Sequence, residues 1–155
     1  MSNQKRLVRD ITDLKAAGFS VLFDNNSEEM PATIESLQTI LQGPKDTPYE
    51  KGSWHIQFTF ANNYPFSSPS VGFVEHILHP NVDWASGSIC LDALNKKWTP
   101  VFTLKHIMES LLPYLLTYPN PSDPLNREAA VLMNENNAAY LSKVLEATQR
   151  YATKK

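Results

Sequence analysis

The chain reads as an α+β domain, and three patterns predict it. Trp54, Ile56, Phe58 and Phe60 alternate with Ser53, His55, Gln57 and Thr59, the period-two signature of a half-buried strand. Leu7, Ile11 and Leu14 recur at helical spacing near one end, and Leu104, Ile107, Leu111 and Leu112 do so past residue 100. The turns between strand-like runs are short, which favours an antiparallel meander, because parallel strands need crossovers of about a dozen residues or more.

Taken in order, residues 5–17 form a short amphipathic helix with Lys5, Arg6, Arg9 and Lys15 interleaved, ending at Gly18. Residues 19–23 have strand character and Asp24-Asn25-Asn26-Ser27 is a turn. The stretch 28–33 leads to a second strand over 34–41, followed by strands over 53–60 and 71–74, so four strands are expected. Ten of the eleven prolines lie between residues 44 and 124, which predicts an irregular region over 75–102. Thr103 caps a helix that Pro113 kinks or interrupts by removing an amide donor. Helices over 127–134 and 138–152 close the chain, the latter with Leu141, Val144, Leu145 and Thr148 on one face.

At 155 residues the chain is long enough to bury a core as one domain, 1–155. Hydrophobic residues at 42% and charged residues at 19% suit a soluble folded protein, not a disordered one. A net charge of −2 gives no general electrostatic reason to bind nucleic acid. The start, Met1-Ser2-Asn3-Gln4-Lys5-Arg6, lacks the apolar core of a signal peptide, and the apolar run 111–118 is too short to span a membrane. A single, reduced cysteine fits the cytosol or nucleus.

That cysteine, Cys90, cannot form an internal disulfide or supply a multi-cysteine zinc site. It is either a small buried hydrophobe or a nucleophile. The turn Ser86-Gly87-Ser88 leads into it, Asn81 lies nine residues upstream, and Trp98-Thr99-Pro100 begins eight residues downstream. His79-Pro80-Asn81, then Ile89-Cys90-Leu91-Asp92, then Trp98-Thr99-Pro100 resemble the catalytic block of ubiquitin-conjugating enzymes. Gly43-Pro44 with Thr47-Pro48-Tyr49-Glu50-Lys51-Gly52, Tyr64-Pro65-Phe66-Ser67-Ser68-Pro69 and Tyr118-Pro119-Asn120-Pro121-Ser122-Asp123-Pro124-Leu125 match further motifs of that family, in the same order. The resemblance runs from about residue 5 to the end and implies the family's fold: N-terminal helix, four-stranded meander, irregular active-site region, C-terminal helices.

The resemblance implies that Cys90 takes ubiquitin as a thioester from the activating enzyme and presents it to a substrate lysine. Transthiolation is nearly balanced in energy and needs no strong base, since even a small thiolate fraction is very nucleophilic. Asn81 is expected to donate to the oxyanion that builds on the thioester carbonyl, or to stabilise the turn after Pro80; both roles can coexist. Asp123 is expected to hold and orient the attacking amine, with a plain turn aspartate as the other reading; Ser122 stands where some relatives carry a second acid. His79, Pro80, Leu91, Asp92 and Asn120 complete the implied support of the site, with Leu91 limiting hydrolysis by apolar cover. No metal and no bound organic cofactor is called for, ATP being consumed upstream by the activating enzyme.

Phe66, Pro100 and Val101 occupy the two loops that by resemblance contact a RING-type ubiquitin ligase, while Lys5, Arg6 and Arg9 either steer acidic partners or form a solvated helix face. Lys96 and Lys97 are acceptors of self-modification or plain surface lysines. The partners implied are ubiquitin, its activating enzyme, a ligase and lysine-bearing protein substrates, with no nucleic acid and no membrane, and the protein acts as a monomer. Ubiquitin is preferred as modifier because the SUMO-specific relative is strongly basic, and because no docking extension precedes residue 5. The stretch from Asn81 to Cys90 is one residue longer than in the commonest relatives. With Tyr118-Pro119-Asn120-Pro121 it is similar to the subgroup that modifies histones in vitro and serves a multisubunit ligase controlling gluconeogenic enzymes. That subgroup often carries an acidic tail; this chain ends at Lys154-Lys155, so tail-dependent substrate choice is not carried over. Two rival readings compete: a catalytically silent binding subunit, which would lack the cysteine, and a Cys-His hydrolase with His79 as base, which needs a further residue to orient that base. His55, His76 and His106 show no ligand spacing.

Overall fold

The computed structural model describes residues 2–89 and 98–153. Helix α1 (Ser2–Ala16) buries Leu7, Ile11 and Leu14 completely. It ends at Gly18, whose φ of +98° suits a residue without Cβ and whose N–H bonds back to the Lys15 carbonyl at 3.0 Å. Three strands follow among the described residues: β1 (Ser36–Gln42), β2 (Ser53–Thr59) and β3 (Ser70–Phe73), antiparallel and in sequence order. The register pairs Thr39 with Ile56 and Ile56 with Phe73. One sheet face is buried through Leu37, Leu41, Trp54, Ile56, Phe58, Val71 and Phe73; on the other, Gln38 and Gln57 bond across the strands at 2.8 Å. The alternation that predicted β2 is therefore the pleat of a sheet with one wet face.

The expected strand over 19–23 is reduced to one bridge, in which Leu22 and Gln38 exchange backbone bonds of 2.8 and 2.9 Å. The reason is local. Phe23 donates to the Ser27 carbonyl, and a 3₁₀ turn over Asp24–Asn26 reverses the chain after one pair. Asn26 takes the left-handed φ of 57° that this residue type tolerates. Residues 28–33 are exposed.

Beyond the sheet, a helical run spans 104–117, here α2. Thr103 Oγ1 caps it by accepting from the His106 amide at 3.1 Å. The run is α-helical over Leu104–His106, π-helical over Ile107–Leu111 and α-helical again over Leu112–Thr117. Pro113 is expected to kink or interrupt it; the helix runs on through Pro113, but its α-helical winding is interrupted by the π turn just ahead. Leu104, Met108, Leu112 and Leu116, all at most 1% exposed, recur every four residues. In an α-helix such a stripe drifts about 40° per step. The wider turn, closed by Leu112 N–H on the Ile107 carbonyl, takes up that drift just ahead of the residue that lacks a donor. Helices α3 (Arg127–Glu135) and α4 (Asn137–Tyr151) are capped by the side chains of Asn126 and Asn136. Among the described residues no helix is long and apolar enough to cross a membrane.

The expected irregular region is held by bridges. Val82 pairs with Ile89 and Gly72 with Ser88, so residues 82–89 lie as a small hairpin along the edge of β3. Its turn is built by Asp83, whose carboxylate accepts from the Ser86 amide at 2.8 Å and hydroxyl at 2.7 Å; these bonds hold its pKa below the usual range. Gly87 has φ +77°, and a Cβ there would stand 1.9 Å from the Phe73 carbonyl oxygen. Gly18, also at positive φ, has open space around it. Gly87→Ala should therefore cost about 3 kcal/mol, against about 1–2 for Gly18→Ala. Urea midpoints of the two variants check this; equal losses would show that the close approach to β3 is not the constraint.

Candidate active site

The His79–Asn81 turn is the centre of the site. His79 is fully buried with both ring nitrogens committed to backbone. Nε2 faces the Leu115 carbonyl at 2.9 Å, and Nδ1 accepts from the Asn81 amide at 2.9 Å. The imidazole is thus the neutral Nε2–H tautomer. Burial lowers its pKa from 6.5 to about 4, against a smaller upward pull from the Leu115 carbonyl. A ring held this way has no nitrogen free to activate a thiol, which removes the geometric basis of the hydrolase reading. The Pro80 carbonyl accepts two amides, from Leu125 at 2.9 Å and Asn126 at 3.0 Å.

Asn81 is 3% exposed and reaches across to the same loop. Its Oδ1 accepts from Asn120 N–H at 2.8 Å and its Nδ2 donates to the Asn120 carbonyl at 2.7 Å. The second Nδ2 hydrogen has only a long contact, 3.5 Å, to the Asp123 carbonyl. Asn120 in turn accepts from Ser122 through its amide (3.2 Å) and hydroxyl (2.5 Å). Asp123 is exposed at the tip of this loop. His79, Pro80, Asn81, Asn120 and Asp123 are therefore brought together from segments about forty residues apart. Cys90, Leu91, Asp92, Lys96 and Lys97 lie outside the described residues. The last residue before them, Ile89, is buried and bridged to Val82, next to Asn81.

A second cluster carries the loops of Phe66, Pro100 and Val101. Phe66 is 76% and Val101 83% exposed, and Trp98 Nε1 donates to the Pro65 carbonyl at 2.8 Å, joining the two loops. The Tyr64–Pro65 peptide is cis. Lys5 and Arg9 are exposed, but Arg6 is not part of that free face, and the expectation is corrected. Its guanidinium pairs with fully buried Asp10 at 3.0 Å and donates to the Phe102 carbonyl at 2.5 Å. Tyr64 hydroxyl also donates to Asp10, at 2.5 Å; burial, then that carboxylate, push the phenol pKa well up. Asp10 was missed, although it lies within the apolar stripe of Leu7, Ile11 and Leu14, where a carboxylate demands partners.

The depressed pKa of His79 has a stability consequence with a definite sign. The unfolded chain takes up this proton near pH 6.5, the folded one only near pH 4. Stability from this group is complete above the first value and is lost as pH falls to the second, about 3 kcal/mol in all at 1.36 kcal/mol per unit. Ring-carbon resonances should place the His79 titration near 4. Titration near 6.5 would mean that the imidazole is open to water.

Comparison with known proteins agrees with the fold. The family model described as "Ubiquitin-conjugating enzyme" matches residues 4–148. A Triticum aestivum protein named Ubiquitin-conjugating enzyme E2-23 kDa is 54% identical over 151 residues, covering 97% of this chain and 79% of its own. The Saccharomyces cerevisiae Ubiquitin-conjugating enzyme E2-24 kDa is 43% identical over 153 residues, 99% of this chain and 67% of its own. Among solved structures, an E2 domain from Toxoplasma gondii superposes with a TM-score of 0.85 at 30% identity, covering 97% of this chain and 99% of its own. A putative ubiquitin-conjugating enzyme from Plasmodium yoelii gives 0.87 at 28%, covering 100% and 98%. With the motifs in order, the sheet and helices in place and relatives matched over nearly the whole chain, the protein belongs to the ubiquitin-conjugating enzyme family.

Proposed function

We propose that Cys90 is the residue on which this ubiquitin-conjugating enzyme carries its thioester, and that Asn81 and Asp123 serve the transfer to lysine. In charging, the Cys90 thiolate attacks the ubiquitin thioester on the activating enzyme; a new S–C bond forms and the activating enzyme's thiolate leaves. In transfer, a lysine amine attacks that carbonyl, the N–C bond forms, the ammonium loses its proton to solvent and the Cys90 thiolate departs. The observation that carries the reading is the meeting of three segments: the hairpin 82–89 that delivers the chain to residue 90, the His79–Asn81 turn, and the Asn120–Asp123 loop.

Asn81 is both clamp and donor in this reading. One amide hydrogen is committed to Asn120, while the other has only the 3.5 Å contact and exchanges it for the oxyanion at small cost. Asp123, exposed beside it, receives and orients the amine. Phe66, Pro100 and Val101, with Lys5 and Arg9, form the face for a RING-type ligase, and Arg6 holds that face in place. The longer Asn81–Cys90 spacing supports the histone-modifying subgroup. The enzyme acts as a monomer in cytosol or nucleus, without a bound cofactor.

Incubation with activating enzyme, ubiquitin and ATP should give a one-ubiquitin adduct that reductant removes and Cys90→Ala abolishes. Asn81→Ala should keep charging while slowing single-turnover transfer to lysine by about 10²–10³-fold, the cost of one lost oxyanion donor elsewhere. Equal loss of both steps would leave Asn81 as loop clamp alone.

A further inference from the structure

Tyr49 stands in the turn between β1 and β2, far along the chain from Asn81, yet its side chain reaches the segment that carries it. Its amide donates to Thr47 Oγ1 at 3.2 Å. The ring is fully buried, edge-on to Trp54 at 6.0 Å and 5.9 Å from the His79 ring, centroid to centroid. The hydroxyl donates to the Leu78 carbonyl at 2.6 Å. A second buried phenol, that of Tyr140 in α4, lies 3.3 Å from this hydroxyl. A phenol has one hydrogen and the Leu78 carbonyl can only accept, so Tyr140 is the donor to Tyr49. Burial pushes the Tyr49 pKa well above its usual value, and the group keeps its hydrogen at neutral pH.

Leu78 opens the turn that carries Asn81. Three consecutive carbonyls there have fixed partners. That of Leu78 takes the Tyr49 hydroxyl, that of His79 the Val82 amide at 3.2 Å, and that of Pro80 the Leu125 and Asn126 amides. The Val82 bond is internal to the turn, and the Pro80 bonds lead to the segment that follows the Asn120–Asp123 loop, which Asn81 also grips. The Tyr49 phenol anchors the turn to a further part of the fold, the connection between β1 and β2, and Tyr140 backs that anchor from α4. With Asn81 already gripping Asn120 through both its polar atoms, the direction of its second amide hydrogen follows from where the turn stands.

We propose that Tyr49 is a positioning residue for lysine transfer: with Tyr140 behind it, its hydroxyl fixes the Leu78–His79 peptide and so aims the Asn81 side-chain amide at the thioester oxyanion. Tyr49 acts through Asn81 and not on the reacting atoms. A preorganised donor stabilises charge only if it is in place as the charge develops, and a small misplacement is costly in rate. The proposal rests on the reading of Asn81 as oxyanion donor.

The test is single-turnover transfer from the preformed Cys90–ubiquitin thioester to free lysine, on the full chain with Tyr49→Phe, Tyr140→Phe, and each combined with Asn81→Ala. Both tyrosine substitutions keep the ring and its apolar packing, circular dichroism checks the fold, and Tyr140→Phe carries the test should Tyr49→Phe not fold. Tyr49→Phe should lower the maximal transfer rate about five- to tenfold and Tyr140→Phe about two- to threefold, as for one buried hydrogen bond lost. The half-saturating lysine concentration and the rate of charging should stay as they are. In the Asn81→Ala background neither tyrosine substitution should slow transfer further, because the group through which they act is gone. In the uncharged ¹⁵N-labelled chain, the Asn81 side-chain amide resonances should shift in Tyr49→Phe and shift less in Tyr140→Phe. Additive slowing on top of Asn81→Ala, equal slowing of charging, undiminished transfer by the folded tyrosine variants, or unmoved Asn81 amide resonances would each overturn the proposal. Wild-type transfer by Asn81→Ala alone would instead defeat the oxyanion reading, and the amide shifts would still decide whether Tyr49 positions Asn81.

Discussion

The site depends on one side-chain amide. Asn81 bonds to both the N–H and the carbonyl of Asn120, as a neighbouring strand would, and so joins two loops. Each such bond contributes about 0.5–1.5 kcal/mol net, but leaving the buried Asn81 amide unpaired costs about 1–3 kcal/mol. The pairing is therefore held more by the penalty for opening than by the gain on closing. Pro80 and His79 extend it, through the two amides on the Pro80 carbonyl and the bond of His79 to Leu115. His79 is then a spacer of fixed protonation between turn and helix. Its neutrality at pH 7 follows from burial without a charged partner.

Much of the fold was legible because hydrophobic period is a local signal. The alternation over 53–60 gave β2 to within a residue, and Leu7, Ile11 and Leu14 marked the buried side of α1. What was not legible depends on partners far along the chain. Arg6 and Lys5 look alike in sequence, and the Phe102 carbonyl, 96 residues away, together with Asp10, separates them. The run 19–23 has strand composition, but the turn at Asp24–Asn26 takes it off the sheet after one pair. Pro113 carried a correct local penalty that the wide turn ahead of it absorbed.

The motifs that identified the candidate site were legible as types and order, not as geometry. His79, Asn81 and Asp123 stood out beside the cysteine. That Asn81 spends both polar atoms on Asn120, with one hydrogen in reserve, required the fold. Trp84 stands out by spacing alone in the sequence, and its stack on His76 is a contact that only the fold reveals.

The Arg6 guanidinium has a further consequence. It ties α1 to the backbone at Phe102, while Asp10 and Tyr64 tie α1 to the loop of Phe66, so both loops are ordered by one buried charge pair. The freedom those loops would otherwise possess is surrendered when the chain folds, not when a partner arrives. A protein that docks against Phe66 and Val101 meets a surface already set, and little of its contact energy is consumed in ordering it. Affinity on such an edge is then governed by fit, and small apolar patches suffice for short-lived, repeated encounters.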